Sequence, residues 1–343
     1  MKRPSPRILA LAVIVLVVVG GGAAYGVHAY QDQRDRVDDA PVVPQSDLAA
    51  VEAHDRIVFR STAPGNQYGL VAMVPLADPA GPRAFTTVAC DRVYAVPGAA
   101  SCLRTVRGIA TRFEAELLDA SWQPVHTWPL PGVPSRTRLS ADGTLLSTTS
   151  FVTGHSYAST GFSTQTVVDR ADATSTGTLE DFALTIDGAP FAGADRNLWG
   201  VTFVDDDEFY ATAASASAGK TWLVHGSLSA RTLTSVRENV ECPSVSPDRT
   251  KIAFKKDMDP SSAAFWSIAV LDLATGTERV LGETRSFDDQ LEWLDDSTLL
   301  YGMPRADDPG SSDIWSIGLA PGATPSVLVP QAWSPAVVRG AQG

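Results

Sequence analysis

The densest run of potential metal ligands in this chain is Asp205-Asp206-Asp207-Glu208, four carboxylates in succession. Carboxylate oxygens are the ligands that Ca²⁺ takes, usually at alternating positions around a glycine. This run has neither the alternation nor the glycine, so it reads first as a solvated acidic turn. Asp205, Asp206 and Asp207 are kept as the candidate cation ligands. Three more aspartates, Asp142, Asp248 and Asp295, stand in short polar turns, with Gly143 directly after Asp142. In such turns a carboxylate accepts backbone N–H groups and holds the hairpin; it does not react. Asp307-Asp308 and the pair Asp257 and Asp259 read the same way.

Other reactive groups are sparse. The five histidines, at 28, 54, 126, 155 and 225, include no i, i+4 pair that could share a zinc ion. His126 and His225 fall in apparent strands, where packing or hydrogen bonding is their expected role. Gly154-His155-Ser156 sits in a long loop and lacks the strand–turn–helix setting of a nucleophile elbow. There is no glycine-rich phosphate cradle, and no cofactor is expected. Cys90 and Cys102 flank a strand–turn–strand pattern with Pro97-Gly98 at its bend, so an oxidising compartment would permit a disulfide between them. Cys242 precedes Pro243 in an expected inner strand and reads as a buried free thiol. Trp122 and Trp128 bracket Pro124 near a hairpin; exposed there, they would suit a protein partner or a glycan.

These residues ride on a repeat. Cys242–Arg249 leads into Lys251–Phe254, then Trp266–Leu273, a turn at Ala274–Gly276, and Thr277–Leu281. The order recurs in Gln290–Asp296, Ser297–Tyr301, Asp313–Ile317 and Ser326–Val329. Each unit is four short strands with period-2 apolar stretches and no helical pattern. Fainter copies begin at Leu198, Thr137, Arg92 and Arg56, and Thr174–Thr178 reads as a loop within an enlarged third unit. Six units of roughly 48 residues match the blades of a propeller. One blade cannot bury both of its faces, whereas a closed ring can. The first unit starts at a second strand, and Ala332–Pro335 resembles a first strand, so the carboxy-terminal segment is expected to complete blade 1. Trp266, Trp293 and Trp315 recur at matching strand positions, which favours packing between blades. Five or seven blades, or tandem β-sandwiches, are the competing architectures.

Ser246-Pro-Asp-Arg249 with Ile252-Ala-Phe254 and Leu271–Gly276 resembles the WD-like repeat of the TolB-like propeller family. Trp293-Leu-Asp-Asp296 with Leu299-Leu-Tyr301 resembles a second copy, while Ser140–Gly143 and Trp333–Pro335 match parts of one. The likeness is strong over 240–320 and fades before residue 130. It implies an all-β fold, a six-bladed β-propeller of four-stranded antiparallel blades, with a tendency toward protein or envelope contacts. It carries no activity. The residues ahead of the repeats leave no room for the amino-terminal α/β domain of TolB. A membrane-anchored propeller on a short stalk resembles an envelope protein of actinobacterial type.

Lys2, Arg3 and Arg7 precede an uncharged run from Ile8 to Gln31, long enough to cross a hydrocarbon layer about 30 Å thick. We read 1–7 as a cytoplasmic tail, 8–30 as a transmembrane signal anchor and 31–48 as an extracytoplasmic stalk broken by Pro41 and Pro44. The propeller spans 49–338, and 339–343 form a tail. Cleavage near Val27-His28-Ala29 is the alternative, and it would release a secreted protein. Residues 37–343 carry 22 basic against 37 acidic side chains, a net charge of −15 that repels phosphate backbones and excludes nucleic acid as a main partner. The function expected is non-catalytic, a scaffold that binds another membrane or envelope protein, with 147–197 and 303–313 as contact surfaces. An extracytoplasmic hydrolase or lyase with carboxylates at the central channel is the rival, and a glycan or small-ligand sensor using Trp122 and Trp128 is the third reading.

Overall fold

A computed structural model describes residues 6–38, 43–152, 163–259 and 263–340. The loop motif at 154–156, Pro41, Pro260 and the last three residues of the tail lie outside the described residues. The strands form six antiparallel blades in chain order around a ring. Blade 2 holds Arg92–Val96, Ala99–Val106, Arg112–Asp119 and Pro124–Leu130. Blade 3 holds Val133–Leu139, Leu145–Val152, Ser163–Arg170 and Ser175–Thr178. Blade 4 contributes Arg196–Phe203, Glu208–Ser215, Lys220–Ser227 and Thr232–Glu238. Blade 5 runs through Glu241–Val245, Lys251–Asp257, Trp266–Asp272 and Glu278–Val280. Blade 6 comprises Glu292–Asp295, Thr298–Pro304, Ser312–Gly318 and Ser326–Val329.

Blade 1 draws on both ends of the chain. Arg56–Ser61, Leu70–Pro75 and Ala84–Ala89 supply its outer three strands, and Ala332–Val338 returns to form the innermost one. Arg56 pairs with Val338 and Ser61 with Ala332, so the last strand closes the ring. Arg83 fastens the approach to this strand by donating to the Gln331 carbonyl at 3.1 Å and to that of Pro330.

Strand alternation explains the apolar runs. Ile57, Val58 and Phe59 are all fully buried although they are consecutive. Val58 enters a core with Met73, Val93 and Leu118, between blades 1 and 2. Ile57 and Phe59 point the other way, toward Leu300, Ile314 and Val329 of blade 6. A strand with a neighbouring blade on each side has no solvent face, so its hydrophobic pattern is continuous. Six such cores occupy the six interfaces. Trp293 is buried in the one between blades 5 and 6, and Trp315 packs against it; Trp266 belongs to none of the cores and instead donates its indole N–H to Glu241 at 3.3 Å.

Blade 3 departs from the expected pattern. Thr174–Thr178, read above as a loop, contains the outer strand Ser175–Thr178, paired to Val167–Asp169. Its composition, Ser-Thr-Gly-Thr, gives no apolar signal; the backbone ladder and polar side-chain bonds hold it, among them the Thr176 hydroxyl on the Val168 carbonyl at 2.8 Å and Gln165 on the Thr178 hydroxyl at 3.2 Å. The enlarged part of the unit follows instead. There a hairpin of Ala183–Ile186 and Ala189–Pro190 joins the outer edge of blade 4, parallel to Thr232–Glu238, and widens that sheet to six strands.

Ahead of the ring, a helix spans Pro6–Asp38, and Val13–Asp32 within it is long and apolar enough to cross a membrane. A short helix, Leu48–Glu52, packs at the junction of blades 1 and 2. The expected disulfide is present: Cys90 and Cys102, with Cα atoms 5.4 Å apart, tie the end of blade 1 to the second strand of blade 2. Replacing both cysteines by serine should lower the unfolding free energy by about 2–4 kcal/mol, measured by urea denaturation. An unchanged midpoint would show that the blade junction needs no covalent tie.

Candidate functional site

Strand direction gives the disk two unlike faces. In blades 2 to 6 the first, innermost strand runs from a blade-to-blade connection to a tight turn. Those turns, with the turns joining third to fourth strands, lie on one face, called here the turn face. Connections between second and third strands, and between blades, lie on the other, the loop face. Asp142, Asp248 and Asp295 are all on the turn face, doing the local work expected of them. Asp142 accepts the Thr144 N–H at 3.1 Å beside Gly143, which adopts a φ of +74°. Asp295 accepts the Ser297 N–H at 2.8 Å. Asp248 accepts the Ser246 hydroxyl at 2.5 Å and the Thr250 N–H at 3.0 Å, and these donors hold its pKa well below the usual carboxylate range.

The acidic run on this face is not a cation cage. Asp205 accepts the N–H groups of Asp207 at 2.9 Å and Glu208 at 2.7 Å, while Asp207 accepts the Ser227 hydroxyl at 2.6 Å and the Ser229 N–H at 2.7 Å. Asp206 is exposed. Among the described residues no group of three or more His, Cys, Asp or Glu side chains could hold a metal ion.

Trp122 is not an exposed aromatic. It is 8% exposed, packs in the core between blades 1 and 2, and donates its indole N–H to Glu52 at 2.7 Å. The short helix, whose folding onto this corner was not expected, covers it. Trp128 remains half-buried beside His126, with ring centres 5.6 Å apart. His225 lies 4.9 Å from the Tyr210 ring.

The chemistry-rich centre is the channel, and it is closed. The segment Asp288–Glu292, leading into blade 6, crosses its mouth. Asp289, buried, accepts Arg92 of blade 2 at 2.8 Å and the Gly302 N–H at 2.9 Å. Asp288 pairs with Arg136 at 3.0 Å and with Lys255 of blade 5 at 2.6 Å. Deeper in, Arg138 of blade 3 pairs with Glu292 of blade 6 and donates to Ser244 at 2.8 Å and to the Leu291 carbonyl at 3.0 Å. Gln290 donates to the carbonyls of Val201 at 3.2 Å and Pro243 at 3.1 Å. Lys255, only 2% exposed, also reaches Glu241 at 3.3 Å and lies 4.1 Å from the Trp266 ring centre.

Four cations thus face four carboxylates. Desolvation opposes the charge on Asp288, yet Lys255 and Arg136 hold its pKa below the ordinary value. Desolvation likewise works against Arg138, and Tyr94 and Glu292 outweigh it, so that guanidinium stays charged. Between Arg92, Tyr94, Arg138 and Asp289 a cavity of about 20 Å³ remains, room for one water. Each of these carboxylates has at least one cationic partner within 3.3 Å. Cys242 is buried at this hub as a free thiol, its N–H on the Thr212 hydroxyl at 2.8 Å. Its φ is +49°, and Gly200 alongside leaves no room for a side chain: a Cβ there would stand 2.7 Å from the Cys242 Cα.

A larger concavity opens off the hub on the loop face. Blades 3 to 5 enclose about 920 Å³ there, lined by Glu180, Asp181, Asp195, Glu238, Glu241 and Asp257. Arg196 and Lys220 are the cations on its wall, and Lys220 is paired to Glu238 at 2.5 Å. Glu180 holds the wall together, accepting the N–H groups of Thr166 at 3.0 Å and Leu198 at 3.4 Å and the Thr164 hydroxyl at 3.2 Å. Burial pushes its carboxyl up to about 7 against the pull of those donors. This wall falls within 147–197, the first of the expected contact surfaces, of which 153–162 lie outside the described residues. The second surface, 303–313, also lies on the loop face, where Gly310 accepts the Tyr68 hydroxyl at 3.0 Å.

Sequence reasoning missed the hub and Glu180. Arg136 and Arg138 at alternate positions of an inner strand were the available signal, since both then face the axis.

Two outcomes follow. Arg138→Leu should destabilise the protein by roughly 3–5 kcal/mol by stranding Glu292, while the Arg138→Leu/Glu292→Leu double variant recovers most of that loss in urea melts. Equal damage in both would mean that packing, not charge, matters there. Glu180 has a raised folded-state pKa, so its contribution is fully present below pH 4.5 and is lost as the pH rises through about 7. The Tm difference of Glu180→Gln over the parent should therefore grow from pH 4.5 to 7.5 and then level; a constant difference would contradict the shift.

No protein-family model and no curated protein matches the chain. Among solved structures it is similar to TolB from Acinetobacter baumannii, with a TM-score of 0.54 and 15% identity over 82% of this chain and 66% of that one. The chain therefore spans just under two thirds of the TolB chain it matches. Weaker likenesses include the β-propeller domain of the Trilobed protease from Pyrococcus furiosus, with a TM-score of 0.40 and 11% identity over 68% of this chain and 70% of that one. An oligogalacturonate lyase in complex with manganese matches with a TM-score of 0.43 and 9% identity over 74% and 72%. At these identities only the fold is shared. The chain is a six-bladed β-propeller of TolB-like fold.

Proposed function

We propose that this propeller is a non-catalytic binding module of the cell envelope, a rigid disk that contacts another membrane or envelope protein through the loop face of blades 3 to 5. One observation carries the reading. The channel, where propeller enzymes could place free carboxylates, is filled and charge-neutral, while a cavity of about 920 Å³ stands open beside it. Strand ends and the connections between them line this cavity, and blades fixed by apolar cores hold them in place. Its lining has more carboxylates than cations, which favours a partner segment bearing Lys or Arg. Pro6–Asp38 would keep the disk at the membrane, its amino terminus cytoplasmic and the propeller outside.

The test is site-mapped crosslinking of the full-length protein in its native membranes, with a 45–343 form as control. Asp181→Arg, on the cavity wall, should reduce the crosslinked partner at least fivefold, while Asp206→Arg on the turn face leaves it unchanged. Crosslinks that map to the turn face, or that ignore Asp181→Arg, would refute the proposed surface.

A further inference from the structure

The chain's entry point and the cavity lie at opposite poles of the disk. From Pro44 onward the stalk is fastened to blade 1. The Arg83 N–H donates to the Pro44 carbonyl at 2.9 Å, and the Ser46 N–H donates to the Arg83 carbonyl at 2.8 Å. Asp47 caps the Leu48–Glu52 helix through the Ala50 N–H at 2.9 Å. Val51 is buried with Val71, Val93 and Trp122, and Glu52 takes the Trp122 indole. Arg83 and Trp122 both sit in or beside turns between third and fourth strands, on the turn face of blades 1 and 2. Blade 4, which carries most of the cavity wall, stands across the ring from blade 1, and the cavity opens on the loop face.

The leash is short. Between Asp38 and Pro44 lie residues 39–43, a contour of at most roughly 20 Å from one to the other. The helix beyond Asp32 adds about 9 Å. A seven-residue strand such as Lys251–Asp257 is about 23 Å long before its loops are counted. Turning the loop face toward a bilayer would therefore draw the whole leash taut along the rim of blade 1.

We propose that the stapled stalk holds the disk with blade 1 toward the membrane and the blade 3–5 cavity on the side away from it. The occupant then arrives from beyond the membrane surface as a soluble or peripherally held protein segment. A lipid headgroup or a segment within the bilayer does not reach the cavity. This rests on the reading of Pro6–Asp38 as a retained anchor and of the cavity as the contact surface.

The full-length protein, reconstituted into phosphatidylcholine–phosphatidylglycerol vesicles, tests it. A fluorophore is placed on Ala77→Cys, beside the staple on blade 1, or on Ala216→Cys, exposed at the cavity mouth of blade 4. Protein without an added cysteine controls for Cys242, which is 1% exposed. Energy transfer to headgroup-labelled lipid should be at least threefold stronger from position 77 than from position 216. Equal or reversed transfer in protein that floats with the vesicles overturns the orientation. Failure to float overturns the anchor, and that result is distinct from the first. A flexible Gly/Ser segment of about twenty residues, inserted after Ala40, should bring the two signals together. Persistence of the difference would show that the leash does not set it.

Discussion

The ring depends on a charge-neutral knot at its axis. Inner strands converge there, and Arg138, Lys255, Asp289 and Glu292 are buried and must satisfy one another, while Asp288 at the mouth stays exposed. The apolar cores join each blade to its neighbours. The knot does something they cannot: Arg138 of blade 3 and Glu292 of blade 6 are bonded across the full diameter. Burying such pairs gains little stability, because desolvation cancels most of the attraction. Their effect is on register. A slip of one residue in the inner strand of blade 3 would turn Arg136 and Arg138 away from the axis, and one in that of blade 6 would turn Glu292 away, leaving charges buried without partners.

Closure at the seam follows from the same geometry. Trp333 arrives on the last strand, fits against Gly302 where any Cβ would collide with its ring, and lies 4.9 Å beneath the Arg92 guanidinium. Ser334, next in line, donates its hydroxyl to the Val93 carbonyl of blade 2 at 2.9 Å. The closing strand is thus read by blades 2 and 6 as well as by its own blade. The hub becomes complete only once the chain's last strand is in place.

Legibility in the sequence tracked distance along the chain. Turn aspartates, the Cys90–Cys102 pair and the four-strand units are local patterns, and each stands where its residues imply. The seam was legible because Trp333-Ser-Pro335 repeats a motif found elsewhere. The hub was not, because Arg138 and Glu292 are separated by 154 positions and each alone resembles a surface charge. Ser175–Thr178 failed for a different reason: its side chains carry no burial signal, and only the ladder to Val167–Asp169 makes it a strand. Trp122 was misread because the helix that covers it, only five residues long, lies seventy positions upstream.

The staple at Pro44–Glu52 also decides how the molecule would carry load. Tension along the leash enters at the corner of blades 1 and 2 and is passed to Arg56–Ser61, parallel to that strand's axis. Its ladders to Leu70–Pro75 and Ala332–Val338 are then pulled in shear, with many hydrogen bonds resisting at once. Beyond them, the Cys90–Cys102 bond ties the end of blade 1 covalently to blade 2. The opposite side of the disk, where blade 4 carries the cavity, lies outside this path of load.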